Sequence, residues 1–165
     1  MNSSEKRYIT EELAKIKGAT HVRIGRAADV IWIALKGIDG KDYAIHLQTF
    51  FRFCDGNQIL ITDMDKYQPT PEYQDADLTD CGEIGSNLLD QWCERFNSEF
   101  SEMVTVSSIN VNHNGDFTMA LDNGMNLEVL VDNTVDDECW RFFVWRSQEK
   151  HLVVTGKGIQ PQEDR

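Results

Sequence analysis

Between Gly115 and Gly156 the sequence is a run of short alternating segments cut by turns, and few folds accommodate such a run. Phe117, Met119 and Leu121 alternate with Thr118 and Ala120. Asp122-Asn123-Gly124 turns the chain, and Met125, Leu127, Val129 and Val131 alternate on the way back. An acidic loop, Asp132–Glu138, leads to Trp140–Trp145, and Leu152–Thr155 follows a further turn. Period-two alternation marks strands with one buried face, and Gly-containing turns join such strands into hairpins. The stretch therefore predicts an antiparallel meander.

An earlier stretch has the same order. Val30-Ile31-Trp32-Ile33-Ala34-Leu35 is followed by a turn, then by Tyr43-Ala44-Ile45-His46-Leu47, Phe50-Phe51-Arg52-Phe53, another turn and Ile59-Leu60-Ile61-Thr62. Each copy runs strand, turn, strand, an aromatic run holding one arginine, turn, strand. The sequence thus predicts an internal duplication over residues 22–63 and 104–156, within one domain spanning 1–165. The run Val30–Leu35 is apolar on both faces, so cover on both sides is expected.

Between the copies lie an acidic connection, 63–83, and a helix expected over 84–100. The connection holds seven acids and one lysine. In the helix, Ile84, Leu88, Leu89, Trp92, Phe96 and Phe100 make one apolar stripe. A short helix is expected over Ile9–Gly18 with Thr10 as its N-cap, and residues 1–8 are expected to fray. The expected fold is α+β: antiparallel sheets from two similar β-meander halves, packed with one central amphipathic helix and a short N-terminal helix.

A length of 165 residues supports a core without disulfides or metal. Cys54, Cys81, Cys93 and Cys139 follow no zinc spacing and read as free thiols of a reducing cytosol. No apolar run reaches membrane-spanning length and the N-terminus lacks a secretory core, so no membrane role and a cytoplasmic location are expected. The net charge is −12, with +3 on residues 1–26 and −15 on the rest. Such a field repels nucleic acid and attracts basic partners.

Arg52 and Arg141 occupy matching places in the aromatic runs. With Trp140 and the loop acids Asp136, Asp137 and Glu138, they are the candidates for ligand or partner binding. For each arginine the competing expectation is a structural pair with a nearby acid. No catalytic spacing and no metal-ligand spacing occurs, and no cofactor is expected.

At Arg23-Ile24-Gly25-Arg26-Ala27-Ala28-Asp29 and at Asp122-Asn123-Gly124…Glu138…Trp140-Arg141-Phe142-Phe143, the chain resembles a group of small uncharacterised bacterial proteins. The resemblance implies a similar α+β body. In size and charge the chain is similar to bacterial immunity or antitoxin proteins. The expectation is a non-catalytic, monomeric or homodimeric protein that recognises a protein partner, a basic one in particular, through an acidic surface. The alternative is a small-molecule binder with an aromatic pocket between the two halves.

Overall fold

The computed structural model describes residues 1–75 and 77–160. Its first helix, α1 (Ser3–Leu13), starts earlier than the apolar pattern suggests. The Asn2 side chain accepts the amides of Ser4 and Glu5, and the Glu5 carboxylate returns to the Asn2 amide. This capping box satisfies donors that a helix start otherwise leaves open, so residues 1–8 are ordered rather than frayed. Thr10 is not the cap. It lies inside the helix with its hydroxyl on the Lys6 carbonyl, 2.8 Å away. A 3₁₀ turn, Ala14–Ile16, follows, and Gly18, at φ +81°, lets the chain turn away.

Among the described residues, eleven strands form two antiparallel sheets. In chain order, β1 (Thr20–Ala27), β2 (Val30–Lys36), β3 (Asp42–Leu47), β4 (Phe51–Asp55) and β5 (Gln58–Thr62) precede the acidic connection. Helix α2 (Leu88–Glu99) is followed by β6 (Val106–Val111), β7 (Phe117–Leu121), β8 (Met125–Val129), β9 (Glu138–Val144), β10 (Leu152–Thr155) and β11 (Gly158–Ile159). The first sheet has the order β1-β2-β3-β9-β10-β11, and the second β5-β4-β8-β7-β6. The fold is α+β.

The two orders carry one pattern. Replace each of β1–β5 by its counterpart among β6–β10, and β1-β2-β3-β9-β10 becomes β6-β7-β8-β4-β5. Each half of the chain puts three strands in one sheet and two in the other. The exchange happens at β3 beside β9, where Leu47 faces Trp140, and at β8 beside β4, where Val129 faces Phe51.

The inward faces share one core. Ile31, Leu47 and Trp140 make one cross-strand rung, and Phe117, Val129 and Phe51 make its counterpart. The rungs meet where the Phe117 and Trp140 rings pack edge to face at 5.0 Å. The Trp140 indole donates to the Gly115 carbonyl at 3.0 Å, so its polar atom is satisfied while the ring is sealed in.

Helices close the seams where sheet edges are exposed, which blunts the tendency of free edges to pair with other chains. Asn97 of α2 reads the edge of β1 like a neighbouring strand, accepting from the Ile24 amide and donating to its carbonyl at 2.9 and 2.7 Å. On the far side Glu5 of α1 accepts from Ile159 of β11, and Val106 of β6 exchanges backbone bonds with Gly18 and Ala19. Helix α2 is shorter than its apolar stripe suggested. Asn87 caps it by accepting the Asp90 amide, and Ile84 lies outside it, 65% exposed. Residues 86–88 instead bond in extended fashion to 68–70, which removes 84–87 from the helix.

Candidate binding trough on the first sheet

The outer face of the first sheet is built from alternate residues of β1, β2, β3 and β9. Register places Arg23, Ala34, Ala44 and Phe143 in one row across four strands. The next row is Gly25, Trp32, His46 and Arg141. On the other side Lys36 faces Asp42, whose carbonyl takes the Trp145 amide at 2.7 Å. Two alanines thus lie between rows of large side chains, and the sheet carries an open trough of about 830 Å³. Trp32 leans over Gly25 so closely that a Cβ there would lie 2.1 Å from the indole. Trp145, 51% exposed, closes the opposite side. Val30 and Ala27 extend the apolar lining.

The expectation that β2 is covered on both faces is corrected here. Among the described residues no helix lies over this face, because α1 and α2 are spent on the sheet edges. The apolar residues Trp32 and Ala34 that suggested a cover instead line the trough.

The second sheet supplies an internal comparison. By register, Arg52, Glu128 and Thr118 stand where the first sheet has Arg141, His46 and Trp32. Cys54, Asn126 and Ala120 stand where it has Phe143, Ala44 and Ala34. The same framework therefore carries a mostly polar outer face on one sheet and an apolar, concave one on the other. Burial of the core does not require the difference, since the inward faces are equally apolar.

No family model, curated protein or solved structure matches the chain.

The charged groups of the trough lie at its rim. Lys36 is paired with Asp42 at 3.0 Å, and His21 with Glu102 at 3.0 Å. Arg23 makes no ion pair among the described residues. At the other end Phe143 is held between two imidazoles: His151 stacks on it at 4.3 Å, and His46 meets its edge at 4.9 Å. Burial, and then the nearby Arg141 cation, push both histidines below the ordinary imidazole value.

None of the six residues singled out from sequence lines the trough, though Arg141 stands beside His46 on the same face. Arg52 pairs across strands with Glu128 at 2.5 Å. Arg141 pairs with Glu138 of its own strand through two nitrogens. Asp136 accepts from the Thr155 hydroxyl at 3.1 Å, and the Asp137 carbonyl accepts from Asn133. Trp140 is corrected outright: it is fully buried, so its ring faces no ligand. The aromatic runs fill the space between the sheets with Phe51, Phe53, Trp140 and Phe142, and the large cavity is on the outside. Sequence reasoning missed Arg23, Gly25, Ala34, Ala44 and Trp145 as neighbours. Their signal was faint: small residues alternating with tryptophan on strands whose outer faces should have been polar.

Proposed function

We propose that the protein is a non-catalytic binding protein that takes an apolar ligand into the trough over Ala34 and Ala44. The observation that supports this reading is the contrast between the two outer faces. One framework bears Arg-Glu-Thr and Cys-Asn-Ala rows on one side. On the other it bears Arg-His-Trp and Phe-Ala-Ala rows. Leaving tryptophan and alanine uncovered costs solubility, and concave apolar surface with a few polar groups at its edge is the usual form of a ligand site. The volume lies in the range of about 300–1,000 Å³ typical of such sites. Four free, buried thiols support a reducing, cytosolic setting as part of the proposal.

The test is a thermal-shift screen of apolar and amphipathic small molecules against the native protein and Ala34→Gln, which fills the floor. Ligands that raise Tm in the native protein but not in the variant support the reading. A screen in which every stabiliser acts equally on both would sink it.

The acidic surface favours a second reading, recognition of a basic protein in the manner of an immunity protein. Glu72, Asp75 and Asp80 are exposed on the connection, in a chain of net charge −12. Affinity purification at low and high salt tests it: a basic partner held only at low salt is the expected result.

A further inference from the structure

From the chemistry of the rim we infer that the ligand is an aromatic anion, its rings on the alanine floor beside Trp32 and Trp145 and its negative group on Arg23. This rests on the trough's being the binding site. Register puts Arg23 at the end of the Ala34–Ala44 row, on the same face and directly opposite Ala34. Its guanidinium carries up to five donors, in a fork suited to carboxylate or sulfonate oxygens. Lys36 is answered by Asp42 and His21 by Glu102, whereas Arg23 has no carboxylate partner among the described residues. The chain holds 28 acids against 16 lysines and arginines, so a cation left over at the mouth of this apolar trough is a local inversion of the overall field. An anion gains there and a cation does not.

Planarity follows from the walls. Two indoles, Trp32 and Trp145, border a floor of methyl groups. Aromatic faces and edges reward a flat ring system more than a branched aliphatic one of equal area. A macromolecular occupant fits less well. Charged side chains, Arg23, Lys36 and Asp42, stand within the lining itself, whereas the centre of a stable protein interface is depleted of charge.

The test uses two fluorescent probes of similar ring structure and different charge: 1-anilinonaphthalene-8-sulfonate, an anion, and N-phenyl-1-naphthylamine, which is neutral. Each is titrated into the full-length native protein, Arg23→Gln, Ala34→Gln and the control Arg52→Gln. The expected result is saturable binding of the anion at one site, weakened about tenfold in Arg23→Gln because a charge-assisted hydrogen bond is lost. The neutral probe should be unaffected by Arg23→Gln, Ala34→Gln should weaken both, and Arg52→Gln should change neither. Equal affinity of the anion for the native protein and Arg23→Gln, with both probes sensitive to Ala34→Gln, would overturn the anion inference and leave the trough standing. Binding of neither probe, or binding indifferent to Ala34→Gln, would overturn both. All the variants lie on outer faces, and coincident circular dichroism and Tm values confirm that each is folded.

Discussion

Arg26 grips Asp90 with two nitrogens, at 2.9 and 2.6 Å, and the two side chains are only 1% and 5% exposed. The pair joins the end of β1 to the first turn of α2. Asp90 also accepts from the Gly85 amide and the Asn87 side chain, while Arg26 reaches the Ala28 carbonyl. A buried pair of this kind contributes little over an apolar substitute, but removing one partner strands the other charge. Asp90→Ala should therefore cost about 3–5 kcal/mol in urea denaturation. Adding Arg26→Met to that variant should cost little more, because the two changes remove one shared interaction. Additive losses would show that the residues act separately.

Gly25 has an ordinary backbone conformation, so its role is space and not flexibility. Alanine there would drive the Trp32 indole from its present place, 2.1 Å from the new methyl. Gly25→Ala is expected to shift tryptophan emission and weaken probe binding in the trough by about tenfold, the loss of one aromatic contact plus reordering. Stability should fall by less than about 1.5 kcal/mol, since Trp32 stands on the outer face. Unchanged emission would mean that Trp32 does not lie over Gly25.

The imidazoles around Phe143 make stability depend on pH. Their folded pKa values are depressed by burial and by Arg141. The unfolded chain thus binds protons more readily than the folded one as pH falls below about 6.5. The stability they contribute is complete above that pH and is lost as pH drops through the lower folded values. The double variant His46→Gln, His151→Gln should flatten this acid limb in Tm scans from about pH 7 to about pH 5, a window that spans the ordinary imidazole pKa. A limb equally steep in the variant would assign it to other groups.

All four thiols are buried, and each is pushed above its ordinary pKa, first by burial. Cys93 rises to about 12. Only the thiolate reacts, so alkylation of the native protein at pH near 8 should be about a hundredfold slower than in denaturant. Rapid labelling of one cysteine, located by peptide mapping, would mark an opening that the folded structure lacks.

Much of the fold was legible because periodicity reports burial directly. The alternations at Tyr43–Leu47, Phe117–Leu121 and Met125–Val129 became strands with the expected inward faces. The helix limits were less so. Asn2 with Glu5 and Asn87 with Asp90 outrank the apolar stripe, and both are short polar signals easily passed over. The binding face was hidden for a different reason. Alternation says which residues share a face, but not whether anything covers it, so Val30–Leu35 read as enclosed. Ala34 and Ala44 acquire meaning only once register lays them side by side.

The crossing of β4 and β9 into the opposite sheets has a consequence for any attempt to halve the chain. Residues 1–75 alone would keep β1–β3 and β4–β5 but leave β3 and β4 without the neighbours that β9 and β8 provide. The remainder would be incomplete in the same two places. Two such fragments are therefore each other's missing partners, and the intact chain is geometrically a pair of interlocked protomers whose arms have been tied together by the acidic connection. Cut there, it should reassemble from its pieces, and neither piece should stay folded without the other.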